Sequence, residues 1–332
     1  MNMNAWLSEL KANKITKAMP VLSFPGSQII KVGVDKLVQS GELQAQCMKA
    51  IADRYDTLAA LSLMDLSVEA EAFGADILFS DDEVPTVVGK LLESEDDIKN
   101  LQVPKVGDKR TGEYVKTIEH AAKLITDRPI LAGAIGPFSL SGRLLDMTEI
   151  MVMSITDPEL VHQVLSKATE FIISYIGTIK AAGANGVVIA EPAAGLLSPD
   201  LNAEFSVPYV KQVVDALQDE SFMVVYHNCG NTIPLINDIL KIGAKVLHFG
   251  NAVDMTEMMP LIPDDIFASG NVDPSSKFRN GTRGEVIEAT QKLLESCAKY
   301  PNFIPSSGCD IPPATPLENI DAFFEVIADF YK

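Results

Sequence analysis

The sequence predicts an α/β fold: a (β/α)8 TIM barrel with an N-terminal helical extension, forming one domain over residues 1–332. Three observations predict it. Eight short apolar runs alternate with longer helical patterns. Most of these runs are continuous rather than alternating, as parallel strands covered on both faces are. And the first run is followed by Pro25-Gly26-Ser27-Gln28, not by the Gly-rich phosphate turn that an open doubly wound sheet places there.

The elements follow in order. The first 19 residues read as an amphipathic helix laid against the barrel. Strands are expected at Pro20–Phe24, Leu58–Met64, Pro129–Ala134, Gly186–Glu191, Phe222–His227, Val246–Gly250, Ile266–Gly270 and Phe303–Ser307. The stretch from Glu93 to Lys116 is charged and holds Pro104 and Gly107, which marks an excursion between the second and third strands. Asp157-Pro158-Glu159 opens a helix carrying Leu160, Val164, Leu165 and Phe171 at helical spacing. Ser198-Pro199 opens another towards Leu217, kinked or divided at Pro208. Thr315-Pro316-Leu317-Glu318 has the spacing of a capping box before the final helix.

Composition bounds the function. With 27 Lys+Arg against 45 Asp+Glu the formal charge is −18, which argues against nucleic acid and anionic membrane as partners. With 47% hydrophobic residues the chain can bury a large core, so it is not disordered. No apolar run approaches the roughly 18–20 residues of a membrane span, and the first residues lack a signal-peptide pattern. Four scattered cysteines, Cys47, Cys229, Cys297 and Cys309, do not make a disulfide framework. The expected setting is a reducing cytoplasm.

Chemistry in a parallel barrel gathers at the C-terminal ends of the strands. Those ends carry Asp65, Glu191, His227-Asn228-Cys229-Gly230, His248, Asn251, Asn271-Val272-Asp273 and Cys309-Asp310. One imidazole and two thiolates, from His227, Cys229 and Cys309, make a three-ligand zinc set with a fourth position open. The alternative is that both cysteines fill space and His227 is a hydrogen-bonded rim residue. Zn2+ with two thiolates and a neutral imidazole carries no net charge. Such a centre holds an incoming thiol as thiolate and leaves it nucleophilic, which favours alkyl transfer over hydrolysis. His248 is expected to be structurally satisfied, and Met255, Met258 and Met259 to pack rather than touch a cofactor. Asp81-Asp82-Glu83 reads as a solvated loop. Arg143, after Gly136-Pro137-Phe138, either meets an anionic substrate group or forms a surface ion pair.

Four stretches then carry a resemblance over nearly the whole chain: MDLSVEAEAFGADILFSDDEVPTVVG from Met64, AEPAAGLLSPDLNAEFSVPYV from Ala190, YHNCGNT from Tyr226 and SSGCDIPPATPLENI from Ser306. They resemble the uroporphyrinogen decarboxylase superfamily and, within it, the corrinoid-dependent methylcobamide:coenzyme M methyltransferases. The resemblance implies a zinc-bound His-x-Cys pair and distant Cys, matching His227, Cys229 and Cys309. It implies a corrinoid co-substrate on a small partner protein and a thiol acceptor such as coenzyme M. Glu191 is expected as catalytic residue and fourth metal ligand when the thiol is absent, or else as a strand-end carboxylate hydrogen-bonded to loop amides, and Asp65 as catalytic polar lining. Asn251, Asn271, Asp273 and Arg143 are expected to bind substrate, with capping of their loops the alternative for the first three. The decarboxylases proper carry an arginine-bearing motif near the N-terminus; here that stretch reads PVLSFPGSQI, without arginine, and only Lys31 and Lys36 follow. Decarboxylation of a tetrapyrrole, or a non-catalytic corrinoid- or tetrapyrrole-binding subunit, are the alternatives.

Overall fold

The structure is a computed structural model that describes residues 1–332. Seven parallel strands stand in sequence order and curl into a ring: β1 (Ala60–Leu61), β4 (Ile130–Ile135), β5 (Gly186–Ala190), β6 (Met223–Asn228), β7 (Val246–Phe249), β8 (Phe267–Val272) and β9 (Phe303–Ser307). Between the first two of these lies an antiparallel hairpin, β2 (Asp76–Leu78) with β3 (Thr86–Val88). Helices cover the outside of the ring, as the alternating pattern requires.

The eighth place in the ring is not a strand. The expected strand Pro20–Phe24 is an irregular extended segment that joins the two ends of the sheet. Leu58 donates to the Ala18 carbonyl at 2.8 Å, and Met19 donates to the Pro305 carbonyl at 3.0 Å. Pro20 has no N–H to give to a ladder, and the Val21 N–H goes to the Ser307 hydroxyl at 3.0 Å instead of a backbone carbonyl. The neighbouring run, expected at Leu58–Met64, is regular only at Ala60–Leu61.

Strand alternation divides the interior. Leu131, Val188, Met223, Val225, Val246, Phe267 and Ile304 point into the ring and form a small interior core. Met3 and Leu7 of the first helix (Met3–Ala12) join that core. The N-terminal extension therefore closes the floor of the barrel, at the N-terminal ends of the strands, and Met3 donates to the Glu220 carbonyl there. The opposite face of each strand, with Val224, Tyr226, Leu247 and Phe249, meets the surrounding helices in the main core.

The helix boundaries follow their sequence signals except in capping. Pro158–Ala181 begins at its proline, and Ser206 divides Pro199–Phe205 from Val207–Leu217. The final helix, Leu317–Phe330, lacks the expected capping box: Thr315 is buried with its hydroxyl unpartnered, and Pro316 occupies the cap. Capping boxes occur at Ser94–Asp97 and Thr282–Glu285. The excursion starts earlier than expected, with the hairpin, and its end is helical from Thr111. Asp81-Asp82-Glu83 form the hairpin tip. No helix is long and apolar enough to cross a membrane.

Candidate metal centre

The inward series on each strand changes character towards the C-terminal end. Met223 and Val225 lead to His227, Val246 leads to His248, and Ile304 leads to Ser306. β6 and β7 pair with His227 directly beside His248. A polar layer thus lies above the apolar interior core, and His227, His248 and Ser306 are all buried.

Two loops bring sulfur to this layer. After β6 the Asn228 side-chain oxygen accepts from the Gly230 N–H at 2.9 Å, a turn that carries Cys229 over the ring. After β9 the Gly308 N–H donates to the Val272 carbonyl at 2.7 Å. A side chain on Gly308 would come within 2.8 Å of the Asn251 nitrogen, so only glycine lets this loop cross so near the top of β7. The result places the ligand atoms of His227, Cys229 and Cys309 all within 4.8 Å of one another. His227 Nε2 lies 3.5 Å from Cys309 Sγ. Zinc bonds of about 2.3 Å to sulfur and about 2.0 Å to nitrogen, set tetrahedrally, separate ligand atoms by roughly 3.5–3.8 Å. The donor set and the His227–Cys309 separation fit that ion.

The two thiols perturb each other. The Cys309 sulfur and burial push Cys229 up to about 12, and Cys229 holds Cys309 below the ordinary thiol value against burial. Burial pushes His248 well below the ordinary histidine value, and the adjacent His227 adds to the effect.

Glu191 is not among the converging ligand atoms and is bonded to backbone amides. Its two oxygens accept from the backbone N–H groups of Phe138 at 3.0 Å and Ser139 at 2.6 Å. These are orphan donors at the start of the helix Pro137–Leu145, and a buried carboxylate satisfies them. Burial raises Glu191 to about 7 against those hydrogen bonds. Asp65 is likewise engaged by the protein itself. Arg110 pairs with it, the Tyr114 hydroxyl donates at 2.8 Å, and the Ser67 hydroxyl donates at 2.5 Å. Arg110 also reaches Glu71 at 2.6 Å and stacks on Phe79 of the hairpin. Sequence reading missed Arg110 and Tyr114, which lie on another element with no shared motif.

Asn251, Asn271 and Asp273 hydrogen-bond within the loops at the strand ends. Asn271 donates to the Gly250 and Val253 carbonyls at 2.9 and 2.7 Å. Asp273 accepts from the Ser275 and Ser276 N–H groups at 2.8 Å, and from Asn251 at 3.0 Å. All three line a groove against the helix Arg283–Cys297, on the outer side of the ring. Arg143 differs. It faces a cleft of about 240 Å³ with Met64, Ser67 and Thr86, and no carboxylate pairs with it. Met255, Met258 and Met259 are buried packing residues.

Known proteins resemble the chain in sequence and in fold. The chain belongs to the uroporphyrinogen decarboxylase (URO-D) family, whose model matches residues 15–330. Among its relatives is the methylcobamide:CoM methyltransferase MtbA of Methanosarcina acetivorans, 27% identical over 270 residues, which span 80% of this chain and 78% of the relative. MtbA of Methanosarcina mazei is 28% identical over 277 residues, 80% of this chain and 78% of the relative. A uroporphyrinogen decarboxylase of Pseudoalteromonas atlantica is 24% identical over 318 residues, 89% of this chain and 86% of the relative. Among solved structures, a methyltransferase from Methanosarcina mazei superposes with a TM-score of 0.87 at 24% identity, covering 98% of both chains. The TIM-barrel-like fold is the one the apolar runs predict.

Proposed function

We propose that this protein is a zinc-dependent methyltransferase that moves a methyl group between a methylated corrinoid, presented by a small carrier protein, and a small thiol such as coenzyme M. One observation carries the reading: an imidazole nitrogen and two sulfurs converge within 4.8 Å at the open end of the ring. The named activity of two relatives supports it. So does the stretch PVLSFPGSQI, which offers no arginine to the carboxylates of a porphyrinogen.

His227 Nε2 and the sulfurs of Cys229 and Cys309 are the ligands in this reading. Zinc held there supplies a Lewis acid that keeps an acceptor thiol deprotonated at neutral pH. The chain's own contribution begins with its two thiols. Both would bind as thiolates, so zinc binding releases protons and weakens as pH falls. The ring of strand ends fixes the ligands before any substrate arrives, which lowers the cost of bringing two reactants together. In this reading Arg143, which lines a cleft and has no carboxylate partner, receives an anionic end of the thiol.

Metal analysis and a transfer assay test the reading together. Purified protein is expected to carry about one zinc per chain, and Cys309→Ala and His227→Ala to carry none. With methylcobalamin and coenzyme M, the unmodified protein is expected to yield the methylated thiol and the two variants none. Release of CO2 from uroporphyrinogen by zinc-stripped protein overturns the proposal in favour of a decarboxylase. Tight corrinoid binding without methyl exchange across a panel of thiols overturns it in favour of a binding subunit.

A further inference from the structure

Behind the three converging ligand atoms stands a second histidine outside the ligand set. Nδ1 of His248 lies 2.7 Å from Nδ1 of His227, and Nε2 of His248 lies 2.8 Å from the Ser306 hydroxyl oxygen. That hydroxyl lies 2.8 Å from the Met19 carbonyl oxygen. The direction of every bond follows from the last one. A carbonyl oxygen only accepts, so the Ser306 O–H donates to Met19 and its oxygen is left to accept from His248. His248 then carries its proton on Nε2, and a neutral imidazole that donates there accepts at Nδ1. His227 therefore carries its proton on Nδ1 and keeps the lone pair on Nε2. The His248 carbonyl oxygen, 3.3 Å from the same Nδ1, demands the same polarity. Nε2 is the nitrogen that lies 3.5 Å from Cys309 Sγ.

We propose that Ser306 and His248 form a positioning relay, anchored on the Met19 carbonyl, that fixes the tautomer and ring plane of His227 so that its Nε2 lone pair faces the metal. The relay rests on the zinc reading given above. It also gives the ring-closing segment a role at the site: a carbonyl of the segment that joins the two ends of the sheet sets the polarity of a ligand on β6. A histidine ligand whose second nitrogen is anchored loses about 10- to 100-fold in metal affinity when the anchor is removed.

Two measurements test this. The first uses the unmodified protein, labelled with 15N at its four histidines and loaded with one equivalent of zinc. Long-range 1H–15N correlations are expected to show His227 protonated at Nδ1 with its Nε2 on the metal, and His248 protonated at Nε2. A zinc-loaded His227 protonated at Nε2 overturns the relay, whatever any variant does. The second measures zinc affinity by competition with a chromophoric chelator. His248→Leu is expected to weaken binding about 10- to 100-fold. His248→Asn, whose amide oxygen replaces the accepting Nδ1, is expected to recover most of that loss, and Ser306→Ala to fall between. Equal affinity in His248→Leu and the unmodified protein overturns the relay and leaves the zinc reading standing. Absence of zinc binding by the unmodified protein overturns both.

Discussion

Glu69 is a carboxyl group sealed in the protein, with one oxygen accepting the Ile135 N–H at 3.0 Å and the other without a partner. Burial raises it to about 8, and the nearby Asp65 adds to the rise. The unfolded chain releases this proton near 4.5, the ordinary value. Between those two pH values the folded state holds the proton and the unfolded state does not, so stability falls as pH rises. The slope from this group is on the order of 1.4 kcal/mol per pH unit at most. Glu69→Gln keeps the shape and loses the proton. Its urea unfolding curves are expected to match the unmodified protein near pH 4.5 and to show greater stability at pH 8. Glu191, raised to about 7, contributes in the same direction over a narrower window. At this scale the sequence was legible where chemistry has a spacing. His227, Cys229 and Cys309 stand out as a soft donor set, and the structure brings them together. Glu191 does not read as a helix cap, because the helix it serves begins more than fifty residues earlier, at Pro137. The readable clue was Gly136-Pro137 itself, a proline at a helix start whose next N–H groups need an acceptor. His248 and Ser306 were reachable by counting in twos along their strands from the interior core.

Strands and their exits set the spacing of the sulfurs. The Gly250 N–H donates to the Asn228 carbonyl at 3.2 Å, which binds the end of β7 to the turn that carries Cys229. A methyl group on Gly250 would collide with the Cys229 Cα and lie 2.7 Å from its carbonyl oxygen. Backbone cannot step aside as a flexible side chain can. Gly250→Ala is therefore expected to displace Cys229 and abolish stoichiometric zinc, while far-UV circular dichroism stays that of a folded α/β protein. Full zinc occupancy in this variant removes the case that close approach of β6 and β7 builds the site. Strands were legible where the apolar run also pairs in a regular ladder on at least one side. Phe303–Ser307 coincides with its apolar run, and the other runs from Pro129 onward differ only at their ends. The first run was misread because its apolar residues are buried as a strand's would be. What distinguishes it is Pro20 and a hydroxyl acceptor contributed by β9, and only the first of these is written locally.

The whole molecule has two ends with different chemistry. Met3 is fully buried and Leu7 is 5% exposed, both in the interior core beneath the polar layer. Leu7→Ala is expected to cost about 2–5 kcal/mol of stability through lost contacts and a cavity. It should leave zinc stoichiometry unchanged, because the helix closes the end of the barrel away from the metal centre. A denaturant midpoint and a metal analysis on the same sample check both halves, and a loss of zinc contradicts this separation of the two ends. The alternation of runs and helices made the barrel legible, and the N-terminal amphipathic pattern announced a covering helix. That the helix enters the ring's interior is written in distant residues such as Val225 and Ile304. Closure of the ring also has an order in time. Met19 and Ser306 are 287 positions apart, so a chain emerging from a ribosome makes the first half of this junction early and the second half almost last. Until β9 is released, the growing sheet has two bare margins. The nascent protein must be kept from pairing them with a neighbour for nearly the whole of its translation.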